Sequence, residues 1–242
     1  MPKESRLNIM HVLALFDIDN TLIQSSAGHR QAFDEALKDV FGLEVDMTVI
    51  NYHGMTDQEI IFKVLRKYNL ADGTITSNLK NCMEVMALKY AEIIKSETII
   101  MLDGVGELLT KLQQNDIICG LVTGTLEKIA RAKLKKIGID HFFKIGGFGS
   151  DHMDRAELAK LAIKRAEGMF KLDGQRSIFS FGDAPQDMKA GKAAGATSIG
   201  ITTGVFSREQ LKSAGADEVF QRLADIDNIY KFILNKEISR TL

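Results

Sequence analysis

Cysteine and proline are scarce in this chain of 242 residues, which contains two of each. Cys82 and Cys119 lie far apart, with no CxxC pair and no nearby histidine pair, which argues against a disulfide framework and against a zinc site. A reducing compartment, the cytoplasm, is therefore expected. Apart from Pro2, the remaining proline is Pro185 in "FGDAPQD", where its restricted φ suits a tight loop after a strand.

The chain also lacks an excess of one charge and a long apolar run. Lys and Arg total 31 against 32 for Asp and Glu, so no global attraction to nucleic acid or to an anionic membrane is expected. No run approaches the roughly 18 apolar residues of a membrane span. Lys3 and Arg6 before an apolar stretch loosely imitate a secretory signal, but Asn8 interrupts it and no small-residue cleavage site follows. A first buried strand explains the stretch better.

What the chain does contain is a rhythm of apolar strand-like runs, each followed by a turn and a helical pattern. The runs are "HVLALFDID", "DIICGLVTG", "FFKIGGF", "SIFSFGD" and "TSIGITTG". Strands that alternate with helices indicate a parallel sheet covered on both faces. The sequence therefore predicts an α/β protein with a doubly wound, Rossmann-like core.

One interval interrupts this rhythm, because no convincing strand occurs between about Gln24 and Glu97. "QAFDEALKDVF" and "EIIFKVLRKYNL" place their apolar residues on one helical face, and a third amphipathic segment runs from about Asn78 to Ile94. We predict an all-helical cap domain at residues 24–97, inserted into an α/β core formed by residues 1–23 and 98–242.

Acidic and hydroxyl side chains follow several of the predicted strands. Asp17 and Asp19 end the first strand, Thr123 ends the second, and Asp183 and Asp187 follow "SIFSF". In open α/β sheets, the carboxyl ends of the strands form the ligand-binding edge. Carboxylates that converge there repel one another unless a hard cation lies between them, and Mg²⁺ prefers such oxygen ligands. The sequence therefore predicts a magnesium site at this edge.

Three of these segments, "FDIDNTL", "LVTGT" and "FGDAPQDMKAGKAAG", resemble the first, second and fourth motifs of the haloacid dehalogenase-like hydrolase superfamily in order and spacing. "SSAGHRQAFDEAL", "YHGMTDQEII" and "GSDHMDRAELAKLA" are similar to its phosphoglycolate phosphatase-like branch, whose helical cap falls where the predicted insert lies. The resemblance covers essentially the whole chain. It implies a Mg²⁺-dependent phosphatase that acts on a small phosphorylated metabolite.

The resemblance also implies roles for the acidic residues. Asp17 attacks phosphorus to form an aspartyl-phosphate, and Asp19 first protonates the leaving oxygen and then activates water. Mg²⁺ is held by the Asp17 carboxylate, the Asp19 backbone carbonyl and Asp183, with Asp187 in support. The chemistry agrees, since a carboxylate can act as a covalent nucleophile and a second carboxyl can alternate between acid and base.

Phosphate binding is assigned to Thr21, Thr123 and Gly124 on the same resemblance. A structural alternative is that Thr123 or Thr125 caps the helix that follows. Asn20 stands where the family often has glycine, and Asn tolerates the left-handed backbone that such a turn requires.

The third family motif usually carries a lysine, whereas this chain has "MDRAEL". Arg155 is the predicted replacement, because a guanidinium can clamp a phosphoryl group and balance carboxylates. Lys128 and Lys144 remain alternatives, and Arg155 could instead be an exposed residue in the first turn of a helix that Asp154 caps.

Residues of the cap are candidates for substrate contact. By resemblance, His53, Gly54 and Met55 form a loop that dips into the site, and His29 begins the first cap helix. An exposed helix position is the structural alternative for His29.

Other functions of the same fold remain open. A phosphomutase of the β-phosphoglucomutase type would need a basic group in the cap, and "HGMTDQE" offers none. A phosphonate hydrolase would need a cap lysine, for which Lys63 and Lys67 are available. A dehalogenase needs no metal, and the pair of Asp19 and Asp183 argues against it. A catalytically silent phosphate-binding or regulatory protein would lack the nucleophile or the metal ligands, whereas Asp17, Asp19 and Asp183 are all present. Either a monomer or a homodimer is compatible with the sequence.

Overall fold

A computed structural model describes residues 11–24, 27–172 and 176–241. Lys3 and Arg6, the basic residues of the signal-like stretch, lie outside the described residues. The strands are β1 (His11–Phe16), β2 (Ile118–Thr123), β3 (Ile145–Phe148), β4 (Arg176–Gly182), β5 (Thr197–Ile201) and β6 (Glu218–Phe220). The helices are α1 (Ala27–Phe41), α2 (Asp57–Lys67), α3 (Asp72–Ile93), α4 (Val105–Gln114), α5 (Glu127–Lys136), α6 (Arg155–Phe170), α7 (Pro185–Ala193), α8 (Arg208–Ser213) and α9 (Ile226–Thr241). Short 3₁₀ helices occupy Met47–Val49 and Asp140–Phe142.

The strands form one parallel sheet in the order β3-β2-β1-β4-β5-β6. Alternate residues of β1 enter different apolar clusters: Ala14 and Phe16 pack with α4 and α9 on one face, and Leu13 and Leu15 pack with α6 on the other. Helices therefore cover both faces, which confirms the predicted α/β, doubly wound class.

Strand β6 was not predicted from the sequence. It contains three residues, Glu218–Phe220, and lies at the edge of the sheet. Only Val219 of the three is buried. A segment of three residues is too short to show the apolar alternation that identifies longer strands. The other five strands coincide with the five apolar runs quoted above.

Helices α1, α2 and α3 occupy the stretch between β1 and α4, and the described part of this stretch contains no strand of the sheet. They share an apolar cluster that includes Phe33, Leu65 and Met86. Ile129 of α5 and Leu126, the N-cap residue of that helix, also belong to it. The third helix begins at Asp72, six residues earlier than the predicted start at about Asn78.

The chain leaves and re-enters the α/β layer through two adjacent segments. The Gln24 N–H donates to the Ile100 carbonyl at 2.9 Å, and the Leu102 N–H donates to the Leu22 carbonyl at 3.0 Å. The two crossings lie side by side, as a helical insert at 24–97 would require, and these bounds remain a prediction. Among the described helices, none is long and apolar enough to cross a bilayer.

Candidate active site

A cavity of about 150 Å³ lies at the carboxyl ends of β1, β2 and β4, beneath the loop that precedes α2. Of the residues predicted from the sequence, the cavity is lined by Asp17, Asp19, His29, His53, Gly54, Met55, Thr123, Gly124, Arg155, Asp183 and Asp187. Thr21 is fully buried, and its hydroxyl has no hydrogen-bond partner among the described residues. Tyr52, Asp57 and Phe206 also line the cavity and were not predicted.

Three carboxylates and one guanidinium form the first cluster of this site. Arg155 Nη2 lies 2.5 Å from Asp17 Oδ1 and 2.6 Å from Asp187 Oδ1. One oxygen from each of Asp17, Asp183 and Asp187 lies within 4.8 Å of the others. All four side chains are buried, so a single cation faces three acids in a medium that screens charge poorly.

The shifted pKa values of these carboxyls follow from that imbalance. Burial raises the pKa of Asp17 to about 7, and the charges of Asp187 and Asp19 add to the effect of burial, while Arg155 opposes it. Burial and the neighbouring Asp187 and Asp17 raise the pKa of Asp183 to about 8. Burial likewise raises the pKa of Asp187, despite Arg155. A divalent cation would supply the missing positive charge, and an all-oxygen donor set of this kind suits Mg²⁺.

The local backbone explains how Asp183 and Asp187 reach this position. Pro185 is the first residue of α7, and the Asp187 carboxylate accepts a hydrogen bond from the Ala184 N–H at 3.0 Å at the start of that helix. A Cβ on Gly204 would lie 1.8 Å from Asp183 Oδ2, so glycine is required where the loop after β5 approaches the carboxylate.

The turn after β1 depends on Asn20, whose φ is +60°. The Asn20 N–H donates to the Ile23 carbonyl at 2.7 Å, and Thr203 Oγ1 donates to the Asn20 carbonyl. Asparagine thus adopts the left-handed backbone predicted for this position.

Asp19 belongs to a second cluster, centred on Lys133. Lys133 Nζ lies 2.8 Å from both Asp19 carboxylate oxygens, and Thr125 Oγ1 donates to Asp19 Oδ2 at 3.2 Å. Burial acts to raise the pKa of Asp19. The charge of Lys133, the neighbouring His29, and the hydrogen bonds from Lys133 and Thr125 outweigh burial and hold that pKa below its ordinary value. The pKa values of Asp17 and Asp19, two positions apart, are therefore shifted in opposite directions.

The contacts of Lys133 extend this cluster into the helical insert. Lys133 Nζ lies 3.2 Å from His29 Nδ1, and His29 Nε2 lies 3.3 Å from Asp57 Oδ2. Asp57 Oδ2 also accepts the Leu126 N–H at 2.8 Å. His29 is only partly exposed and sits among charged groups, so the alternative of an exposed helix position is wrong.

Sequence reasoning missed Lys133, although the sequence holds a signal for it. Lys133 lies at the seventh position after Leu126, in the buried stripe that Leu126, Ile129, Ala130 and Leu134 define. A charged residue within such a stripe is unusual unless a partner of opposite charge is buried with it.

The loop before α2 closes the cavity from above. The Gly54 carbonyl accepts a hydrogen bond from Arg155 Nη1 at 3.2 Å, and the His53 carbonyl accepts one from Gln186 Nε2 at 2.9 Å. The Asp57 N–H donates to the Gly124 carbonyl at 2.8 Å. A Cβ on Gly124 would lie 2.3 Å from the Met55 carbonyl oxygen, so glycine is needed for this close approach.

The structure distinguishes between the alternatives for the basic group and for Thr123. Lys128 and Lys144 are exposed, whereas Arg155 is buried at the site. The alternative that Arg155 is an exposed residue of a first helical turn is therefore wrong.

Thr123 does not cap α5, because the N-cap residue of that helix is Leu126. The Thr123 hydroxyl instead accepts a hydrogen bond from the Thr125 N–H at 3.3 Å.

Comparison with known proteins identifies the family of this chain. Residues 14–201 match the family model described as haloacid dehalogenase-like hydrolase. The chain belongs to the haloacid dehalogenase-like hydrolase family. The resemblance predicted from the three motifs is thereby confirmed.

Individual relatives of this hydrolase are named as phosphatases. The phosphoglycolate phosphatase of Pectobacterium atrosepticum is 26% identical over 220 residues, which cover 87% of this chain and 88% of the relative. The validoxylamine A 7'-phosphate phosphatase of Streptomyces hygroscopicus subsp. limoneus is 28% identical over 218 residues, which cover 90% and 96%. These matches confirm the prediction of a phosphatase-type hydrolase of this family.

A solved structure shows the same fold. The crystal structure of a hydrolase from Pseudomonas syringae superposes with a TM-score of 0.67 at 24% sequence identity, covering 93% of this chain and 99% of the other.

Proposed function

We propose that this hydrolase removes the phosphoryl group from a small phosphorylated metabolite in a Mg²⁺-dependent reaction that passes through a phosphorylated Asp17. One observation carries the proposal: Asp17 and Asp19 line the same cavity but are held by different cations, Arg155 and Lys133. Such an arrangement lets two neighbouring carboxylates perform different chemistry.

In the first half-reaction, an Asp17 carboxylate oxygen attacks phosphorus and the bond to the leaving oxygen breaks. Asp19, in the minor protonated form that its lowered pKa allows, gives its proton to that oxygen. In the second half-reaction, Asp19 takes a proton from water as the water attacks the phosphoryl group, which regenerates Asp17 and releases phosphate. The two steps replace one difficult displacement.

The Asp17 and Asp183 carboxylates and the Asp19 backbone carbonyl are the proposed Mg²⁺ ligands, with Asp187 beside them. Bound Mg²⁺ would screen the phosphoryl oxygens from the attacking carboxylate. Thr123 and Gly124, at the end of β2, are proposed to contact the phosphoryl group, and Thr21 to support them. Arg155 orients Asp17 and Asp187 through its two short ion pairs.

The cavity restricts the leaving group. Its volume of about 150 Å³ suits a small group, and Arg155 is the one Lys or Arg side chain among the described residues that line it. Because Arg155 is engaged by Asp17 and Asp187, no Lys or Arg in this lining is left for a second anionic group. We therefore propose an uncharged leaving group and disfavour a phosphomutase, whose substrates carry a second phosphate.

Phosphate release from a generic phosphomonoester tests the proposal. The purified protein should be active with Mg²⁺, should lose activity with a chelator, and should be silenced by Asp17→Asn but not by Asp116→Asn in an exposed turn. Robust turnover without metal would refute the mechanism. A panel of esters with neutral, carboxylate and phosphorylated leaving groups tests the substrate, and a preference for phosphoglycolate would refute the uncharged leaving group.

We propose the cytoplasm as the site of action. Cys82 and Cys119 are both free and buried, which suits a reducing compartment. Both a monomer and a homodimer accommodate this mechanism, since every proposed catalytic group comes from one chain.

A further inference from the structure

Lys133 is a charged residue in the interior of the protein, and no step of the mechanism proposed above assigns it a role. Its side chain is fully buried on α5, a helix whose exposed face carries Lys128 and Lys135. Burying an ammonium is costly unless it is paired and hydrogen-bonded, so the location of Lys133 demands a partner. That partner is Asp19, the proposed proton-transfer group.

The ammonium of Lys133 has three acceptors in reach. Two are the oxygens of Asp19, both at 2.8 Å, and the third is His29 Nδ1 at 3.2 Å. An ammonium can only donate, so Nδ1 accepts, and the proton of a neutral imidazole is then on Nε2, which faces Asp57. Acceptors from both the core and the insert therefore determine where the ammonium lies.

We infer that Lys133 is a positioning residue that holds the Asp19 carboxylate in the orientation needed for proton transfer at the leaving oxygen and at the attacking water. The inference rests on the proposed phosphatase function.

The geometry of Asp19 supports this inference. Asp19 lines the same cavity as Arg155, so its carboxylate could rotate toward that guanidinium, where Asp17 and Asp187 already bind. Two sets of contacts oppose this rotation. Both Asp19 oxygens contact the ammonium of Lys133, and Oδ2 also accepts a hydrogen bond from Thr125. Lys133 thereby keeps the second carboxylate apart from the first and directed at one place.

Leaving-group dependence separates positioning from a general structural role. We compare kcat/KM for an alkyl phosphate, whose leaving oxygen needs a proton, with that for p-nitrophenyl phosphate, whose leaving group departs without one. Lys133→Met should lower the alkyl value by about 100-fold and the aryl value by less than about 5-fold, within the range of general acid catalysis. Lys135→Met, the same substitution at an exposed position of α5, should change neither.

A double-mutant cycle gives the second readout. If Lys133 acts through Asp19, its replacement should matter little once Asp19 has lost its carboxylate. In the Asp19→Asn background, Lys133→Met should therefore change kcat/KM for the alkyl phosphate by less than about 3-fold, because the effects of contacting residues are coupled. Equal losses for both esters, or the same loss in both backgrounds, would overturn the inference. Circular dichroism verifies folding. If Lys133→Met alone fails to fold, Lys133→Gln replaces it in the comparison of the two esters. The double variant with Lys133→Met and Asp19→Asn buries no unpaired charge and remains available for the cycle.

The two proposals fail in different ways. Wild-type protein without phosphatase activity on any ester would refute the proposed function. An active wild type whose Lys133→Met variant loses both esters equally would refute the positioning role alone.

Discussion

Asp17 lies against Arg155, whereas Asp19, two positions further along, lies against Lys133. Asp17 shares one guanidinium with Asp187 in a buried cluster of three carboxylates, and its pKa is raised to about 7. Asp19 accepts hydrogen bonds from the ammonium of Lys133 and the hydroxyl of Thr125, and its pKa is lowered. Partners 138 and 114 residues away, rather than neighbours in sequence, thus give these two nearby carboxyls opposite pKa shifts.

Removing the cation from the Asp17 cluster should have the largest effect. Arg155→Met leaves the three carboxylates without a protein cation, so we expect a loss of about 1000-fold in kcat/KM. The free energy of unfolding without metal should fall by about 3–5 kcal/mol, as when one partner of a buried pair is removed. Steady-state kinetics and urea unfolding measure the two effects.

The control for this change is Arg165→Met. Arg165 is on the same helix and pairs with Asp151, but it is more exposed. Its loss should cost no more than about 1 kcal/mol and leave turnover intact. Near-normal turnover in Arg155→Met would contradict a role of Arg155 at the reaction centre.

Neutralising one acid of the same cluster should have a smaller effect. Asp187→Asn keeps an oxygen that can accept the Ala184 N–H but loses the charge that faces Arg155 and the proposed metal. We expect a fall of about 10–100-fold in activity at low Mg²⁺, as for residues that support metal ligands, with partial recovery at high Mg²⁺. Titrating activity with Mg²⁺ tests this. Asp227→Asn, at an exposed ion pair, is the control, and a loss that Mg²⁺ leaves unchanged would argue against support of the metal.

The pH dependence of stability should distinguish the two carboxylates further. The pKa values of Asp17 and Asp183 rise from 3.8 to about 7 and about 8, so the folded protein binds more protons than the unfolded chain between those limits. Metal-free stability should therefore fall as the pH rises through this window. Asp19, whose pKa is lowered, contributes stability that is present above 3.8 and is lost in acid as the pH falls through its folded-state pKa.

Mg²⁺ should counteract the loss of stability at high pH. At about 100 times its Kd, a ligand stabilises by about 2.7 kcal/mol, or about 5–10 °C in Tm for a protein of this size. Because protons compete for the same carboxylates, the gain in Tm should be larger at pH 8.5 than at pH 6. Thermal unfolding with and without Mg²⁺ measures this, and a gain that is independent of pH would contradict the proposed site.

Weakening the Asp19 cluster at its edge should have the smallest effect. Thr125→Val removes one hydrogen bond to Asp19, while both contacts with Lys133 remain. The loss of a single bond of about 1 kcal/mol predicts a fall of about 5-fold in kcat/KM. Thr110→Val, on the exposed face of α4, is the control. A loss as large as that of Lys133→Met would show that the hydroxyl, and not the ammonium, orients Asp19.

The sequence predicted much of this site because its elements are local. An apolar run that ends in carboxylates identifies the end of β1, and the same pattern identifies the end of β4 before Asp183. The left-handed Asn20 also follows from a local preference. Lys133 and Tyr52 were missed. The apolar stripe of α5 indicates that Lys133 is buried, but nothing nearby in the sequence shows that its partner is Asp19 or that Tyr52 lines the cavity.

By itself, the sequence determined where β1 to β5 lie along the chain, the helical character of the insert and the acidic groups at the sheet edge. Periodicity and turn preferences act over a few residues, so these features can be identified locally. Only the tertiary structure decided which cation each carboxylate meets. Arg155 begins α6 and Lys133 lies within α5, and these helices cover opposite faces of the sheet. Their packing brings one cation to Asp17 and the other to Asp19, and burial then turns that difference into opposite pKa shifts.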